Sequence, residues 1–357
     1  MIGAGDKMSV SPASVLALDI GSGTQDVLLW QAGEVTENCL QMVLPSPTVS
    51  LARRVRGATS QGLPIHLRGY LMGGGPVAWA IRDHAAAGLP VTAEPEAALT
   101  LHDDLAHVQE MGVMLRDAAM DGALEITMGD IQREALEAIL ERFDMGPPEL
   151  WCAAVQDHGH QPHGSNRAFR FAHWRAFLEA GGMLTGALYQ EPPSYLTRMR
   201  SVLSQVDEGR VMDTGMAAVI GAGCDPWVSS HLKDGVVVVN LGNQHALAAL
   251  VTQDRVFGLF EHHTGALKAA SLSRWIQRFR QGDLAHEEVL SDGGHGCAYY
   301  PDGLPTLGFK AVAVTGPRRA MAEGLGWTLA APFGNMMLTG CYGLIRAFHL
   351  SRGIPWP

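Results

Sequence analysis

The sequence predicts an α/β protein made of two similar halves that face one another across a central cleft. Three observations carry this expectation. Apolar strand-like runs alternate with amphipathic helical ones along the whole chain. Each half opens on the same pattern, an apolar strand, an Asp/Asn-x-Gly turn and a second apolar strand: VLALDIGSGTQDVLLW over Val15–Trp30, and GVVVVNLGNQHALAALV over Gly235–Val251. The chain has 357 residues, 47% hydrophobic and 17% charged, enough for two domains with sizeable cores and against extensive disorder. The expected division is residues 1–180 and 181–357.

The first 14 residues read as a ragged leader. The Val15–Trp30 hairpin is followed by a strand over Val35–Leu44, closed by Pro45 and Pro47. Thr48–Gly62 is helical, with Leu51, Val55 and Ala58 on one face. Pro64–Met72 is a strand running into Gly73-Gly74-Gly75, and Pro76–Ala87 a helix with proline at its start. Asp103–Met111 is a short helix. Asp130–Phe143 is a helix with Asp130 as N-cap and an apolar stripe of Ile131, Leu136, Ile139 and Leu140. Leu150–Gln156 is a buried strand, Asn166–Glu179 a helix whose aromatic residues Phe169, Phe171, Trp174 and Phe177 serve packing, and Gly181–Pro193 a loop-rich boundary. In the second half Arg255–Phe260 is a strand, Leu267–Gln281 a helix, Lys310–Val314 a strand and Gly334–Leu350 a closing helix. Met336 and Met337 are expected to fill gaps in the core, and Cys152 and Cys341 to be buried, inert thiols.

Composition narrows the function. Lys and Arg number 26 against 36 Asp and Glu, a net charge of −10 that argues against a nucleic-acid binder. The five cysteines include no CxxC pair, which argues against a zinc ribbon or a disulfide framework. No signal peptide and no apolar run of about 18 residues is found, so the expected location is cytoplasmic, without a membrane partner. The 42 glycines have no collagen period and mark tight turns and close approach to ligands. A small-molecule substrate is expected, and self-association is left open.

The glycine turns carry the chemistry. In Asp19-Ile20-Gly21-Ser22-Gly23-Thr24-Gln25, the glycines let backbone N–H groups approach an anion, Ser22 and Thr24 add hydroxyls, and Asp19 at the strand end suits Mg²⁺ through water. A capped hairpin bend is the bland alternative. The turn is not a Walker A loop, because no lysine follows and the next element is a strand. Val239-Asn240-Leu241-Gly242-Asn243-Gln244 is the corresponding turn of the second half. In Val312–Arg319 a strand ends in Thr315-Gly316 before a helix that Pro317 would start, a natural phosphate or ribose site.

These three segments, in this order, resemble the phosphate-1, phosphate-2 and adenosine motifs of the actin, sugar kinase and heat-shock-70 ATPase superfamily. The resemblance implies two ribonuclease-H-like domains and Mg²⁺·ATP in the cleft between them. It implies that Asp19 places Mg²⁺ and that Gly21, Ser22, Gly23, Thr24 and Gln25 hold the terminal phosphates. Gly242, Asn243 and Gln244 would face the phosphates from the other side, with Gly316 and Pro317 against the nucleoside. Asn240 stands where the second turn of that superfamily usually has Asp, and Arg318 and Arg319 are unusual beside an adenosine pocket. More narrowly, QDHG, EHHTG, DGGHG and PFGNMMLTGCYGL are similar to an uncharacterised family labelled pyruvate formate-lyase activating enzyme. Radical activating enzymes need three cysteines at CxxxCxxC spacing for a [4Fe–4S] cluster; the five here lack that spacing, so that activity is not expected.

Histidines form islands. His158, His160 and His163 follow the Leu150–Gln156 strand, where open α/β sheets place ligand crevices. Glu261-His262-His263 and Asp292-Gly293-Gly294-His295 recur in the second half. Carboxylate and imidazole beside glycine suit acid–base work or metal binding, while capping of their own turns is the bland reading for each residue singly. The set is expected to meet at one site between the halves. The expected function is phosphoryl transfer or ATP hydrolysis, with Asp157 or His158 activating the acceptor and Glu261, His262, His263, Asp292 and His295 shaping its pocket. A non-catalytic nucleotide or metabolite sensor of the same fold, and a His/Asp/Glu metal-dependent enzyme, are the alternatives. Asp19 and Asp213-Thr214-Gly215 together invite an aspartic-protease reading, which the helical content disfavours; Asp213 instead is expected to cap a helix over Gly215–Gly221.

Overall fold

The computed structural model describes residues 12–306, 308–354 and 356; most of the ragged leader lies outside them. The chain runs β1 (Ser14–Ile20), β2 (Thr24–Gln31), β3 (Leu40–Pro45), β4 (Ile65–Gly69), β5 (Val91–Ala93), β6 (Val113–Leu115), β7 (Leu124–Met128), β8 (Leu150–Val155) and β9 (Gly209–Asp213). The second half follows with β10 (Val236–Leu241), β11 (His245–Val251), β12 (Val256–His263), β13 (Gly296–Tyr299), β14 (Ala311–Thr315) and β15 (Thr328–Leu329).

Two sheets share one topology. The first has the order β3-β2-β1-β8-β9 and the second β13-β12-β11-β10-β14-β15. In each, a hairpin and a third strand pair antiparallel, and the first strand then pairs in parallel with a later one. This is a ribonuclease-H-like strand order, present twice. The duplication extends to the turns: Gly21 N donates to Thr24 O at 2.9 Å, and Gly242 N to His245 O at 3.0 Å.

Strand periodicity sorts side chains between layers. Val15, Ala17 and Leu28 of the first sheet share one buried cluster with Val236, Val238, Leu247 and Ala249 of the second. Leu16, Leu18, Val27 and Leu29 face the opposite side, under helices Arg133–Arg142 and Thr197–Ser204. Between the sheets lie helices Thr214–Ala222 and Thr339–Ser351, crossing at glycines. A Cβ on Gly221 would sit 1.7 Å from Thr339 O, and one on Gly343 1.8 Å from Ala217 O. Asp213 caps the first of these helices, accepting from Gly215 N at 2.9 Å.

Several expectations change. The first sheet takes in β9, well past residue 180, so the division at 180/181 would cut it, and the two halves share a core. Between β3 and β8 lies a third sheet, β6-β5-β4-β7, all parallel with its own core, which was not expected. Asp130 is not a helix cap: the helix starts at Arg133, and Asp130 accepts two bonds from Arg198, both 2.8 Å. Pro317 starts no α-helix; only a short 3-10 turn over Arg319–Ala322 follows. Among the described residues, no helix is long and apolar enough to cross a membrane.

Candidate functional site

A cleft of about 350 Å³ opens between the two sheets. Period two brings polar residues at the strand ends onto the central faces that, deeper down, build the core. Asp19 and Asp26 are cross-strand partners in the β1–β2 register and so point to the same side. Both line the cleft. Asp19 accepts from Thr214 Oγ1 at 2.5 Å, and Gly340 presses so close that a Cβ there would meet Asp19 Oδ2. Asp26 is 7% exposed, and its Oδ1 has no hydrogen-bond partner. Burial pushes the Asp19 carboxyl up to about 7, against the Thr214 bond and with help from Asp213. Burial and the charge of Asp19 push Asp26 up to about 8. Two like charges directly opposite one another are unfavourable unless something bridges them, and a pair of oxygen donors suits a hard cation. The corresponding pair of the second sheet is Asn240 and Leu247, which offers no carboxylate.

The two glycine turns face each other over this pair. Gly21, Ser22 and Thr24 line one side, Gly242, Asn243 and Gln244 the other, and a Cβ on Gly23 would come within 3.0 Å of Asn243 Nδ2. Gln25 is 2% exposed and lies outside the lining, with its Oε1 unpartnered. Gly316 (φ +98°) lies against Leu241 O and Asn240 Oδ1, where any side chain would clash. Gly316 and Pro317 line the wall together with Met336 and Met337, which therefore belong to the cleft rather than to the core; Gly316 N donates to Met336 Sδ. The loop Gly73–Gly75 and Thr48 close the cleft from the third sheet.

At the other end, Arg170 of helix Asn166–Glu179 is 2% exposed and bridges both halves. It donates from Nη1 to Asp213 Oδ2 at 2.8 Å and from Nε to Glu261 Oε2 at 2.7 Å. Burial alone would raise the Glu261 carboxyl; Arg170 overrides it and holds the group at about 2. Gln156 Nε2 donates to Glu261 Oε1 at 2.8 Å, and His245 Nδ1 bonds Gln156 Oε1. His245, His158 and His295 converge: ring centroids lie 4.7 Å apart for His245–His295, 5.5 Å for His158–His295 and 5.7 Å for His158–His245. His263 joins them at 4.7 Å from His295. Burial lowers all four imidazoles, His245 to about 4 and His295 to about 3, so each is neutral at pH 7.

The histidine islands thus separate. His158, His263, His295 and Glu261 meet at one place, joining the two halves. Asp157 does not line the cleft; its oxygens accept from Gly159 N at 2.8 Å and Met199 N at 3.0 Å, which removes it as an acceptor-activating group. His262 is fully buried beside Phe260 and Trp275, with Nε2 3.2 Å from the exposed Asp292, and neither lines the cleft. His160 pairs with Asp103 instead, and His163 is exposed. Sequence reasoning missed Asp26, Gln156, Arg170, Thr214, His245 and Gly340 as cleft residues. The cross-strand register would have flagged Asp26; His245 is masked by the apolar run it opens.

A protein-family model described as "Putative pyruvate format-lyase activating enzyme (DUF1786)" matches residues 72–321. No curated protein matches the chain. Among solved structures, ethanolamine utilization protein EutJ from Carboxydothermus hydrogenoformans is 11% identical, with 94% of this chain and 90% of that one covered and a TM-score of 0.33. An inorganic polyphosphate/ATP-glucomannokinase from Arthrobacter sp. strain KM is 13% identical, with 95% and 98% covered and a TM-score of 0.35. A ROK family glucokinase from Streptomyces griseus is 12% identical, with 95% and 99% covered and a TM-score of 0.31.

Proposed function

The chain belongs to the DUF1786 family, and from that premise we propose that it binds Mg²⁺·ATP in the cleft and acts as a phosphotransferase or ATP hydrolase on a small molecule. The radical chemistry in the family's label finds no ligand set: the one group of three or more metal-capable side chains among the described residues contains no cysteine. The observation that carries the proposal is the Asp19–Asp26 pair beneath two facing glycine turns. Asp26 Oδ1, buried and unpartnered, is an acceptor waiting for a cation. The groups present fit Mg²⁺·ATP, which when bound supplies the transferable phosphoryl group.

The chain's own residues then have separate tasks. Asp19 and Asp26 hold the cation, with Thr214 fixing the Asp19 rotamer. Gly21, Ser22 and Thr24 offer N–H and hydroxyl donors to the phosphates from one side, Gly242 and Asn243 from the other. Gly316, Pro317 and the two methionines form the wall for the nucleoside. At the acceptor end Glu261 is neutralised by Arg170, so binding falls to the imidazoles of His158 and His245.

Thermal unfolding with and without Mg²⁺·ATP tests the reading. Ligand at about 100 times its Kd adds about 2.7 kcal/mol to the stability of the native state, a rise of several degrees. The shift is expected in the wild type and absent from Asp19→Asn. A wild type that melts at the same temperature with saturating Mg²⁺·ATP would overturn the proposal.

A further inference from the structure

We propose that His158, His245 and His295 form a site for one divalent transition-metal ion, with its open coordination face turned into the cleft. One nitrogen of each ring lies within 4.8 Å of the other two. Even at that limit the three atoms sit about 2.8 Å from a common centre, so closing on a metal at about 2.1 Å moves each inward by less than 1 Å.

The surrounding hydrogen bonds leave imidazole lone pairs free for a metal. Gln156 must donate from its amide nitrogen to Glu261, which has no proton to offer; its Oε1 therefore faces His245. His245 must donate from Nδ1, which leaves Nε2 as a bare lone pair. That outer contact to a ligating histidine, backed by a carboxylate, is the usual support of a metal centre. His295 is 1% exposed, and its Nδ1 is buried with no partner. Beside the cluster Asp213 and Glu261 both pair with Arg170, and Glu261 Oε1 also lies 3.9 Å from His245 Nδ1, which sets a carboxylate next to the ligands. Imidazole donors select late first-row ions over Mg²⁺, whereas the oxygen-only Asp19–Asp26 pair has the opposite preference. The cleft would thus hold two cations of different kinds.

Three protein ligands leave at least one position open. His158 and His245 line the cleft while His295 closes the back, so that position faces the acceptor end. Resting on the phosphotransferase reading, this assigns the acceptor a class: a small molecule that presents an oxygen ligand, a carboxylate, phosphate or deprotonable hydroxyl, to the metal.

The test uses the full chain, stripped with a chelator and titrated with Co²⁺ in the absence of nucleotide. The expected result is one equivalent bound, with visible absorption bands that excess Mg²⁺ does not remove. His245→Ala and His158→Asn weaken binding by about 100-fold or more, while exposed His107→Ala does not, and circular dichroism verifies that each variant is folded. Adding acetohydroxamate, an oxygen chelator, then shifts the bands. A folded wild type that binds neither Co²⁺ nor Zn²⁺, or binding unchanged in both cluster variants, overturns the site. Bands that acetohydroxamate leaves untouched overturn the open position and the acceptor class. Since no nucleotide is present, failure here is distinct from failure of the ATP reading.

Discussion

Single residues decide the chemistry of the cleft through what their neighbours withhold. Asp26 has no donor on Oδ1, and burial first and the charge of Asp19 across the strand second raise its pKa. The sign of the consequence follows from linkage. The folded state holds protons that the unfolded chain releases near pH 4, so this contribution to stability is complete below about pH 4. It is lost as pH rises through the folded values of about 7 for Asp19 and about 8 for Asp26. The unfolding free energy of the metal-free protein is expected to fall between about pH 4 and pH 8, by an amount on the order of several kcal/mol, and its melting temperature to fall with it. Asp26→Asn flattens that fall, and Mg²⁺ at pH 8.5 recovers it only in the wild type. A pH profile identical in wild type and Asp26→Asn would count against the pair. Asp19 was legible in the sequence because it opens a glycine turn. Asp157 was equally conspicuous beside its histidine, yet its carboxylate is spent on the N–H groups of Gly159 and Met199. The residue type was visible; the direction of its oxygens was not.

At the scale of elements, the two central helices set the distance between the sheets. Helix Thr214–Ala222 is buried from Gly215 onward, and its small residues let it meet Thr339–Ser351 backbone to backbone. Gly343→Val would drive a side chain into Ala217 O, forcing the helices apart, and should cost about 3 kcal/mol or more in a urea melt. Gly57→Ala, in helix Pro47–Gln61 with nothing within 4 Å, should instead stabilise by about 0.5–1 kcal/mol. Equal effects from the two would mean that the close crossing is not a packing constraint. Most elements were readable from periodicity; helix Asn166–Glu179 has the expected bounds. The missed ones have physical reasons. β5 and β6 are three residues each, too short for alternation to register, and β9 is the five residues GRVMD, in which only Val211 and Met212 are apolar. The proline at 317 looked like a helix start, but Arg318 N is held by Leu241 O, which ties the chain to β10 before a full turn can form.

Across the whole molecule, one buried cation ties the halves together. Arg170 reaches Asp213 at the end of the first sheet and Glu261 on the second, and from Glu261 the hydrogen bonds run through Gln156 to His245. Arg170→Met leaves two buried carboxylates unpaired and is expected to cost about 3–5 kcal/mol by chemical denaturation. Removing the exposed Arg68–Glu125 pair should cost under about 1 kcal/mol; comparable losses would refute the bridging role. The duplicated strand-turn-strand plan, the glycine turns and the acidic composition could be read from the residues alone, because they depend on local periodicity, backbone permissiveness and residue counts. Only the tertiary structure decided which histidines meet, that Asp26 joins Asp19, that a third parallel sheet stands over the cleft, and that the halves share a core. Those outcomes depend on strand register and on pairings between residues far apart in the chain. A shift of one residue in register would turn the same side chains to the opposite face.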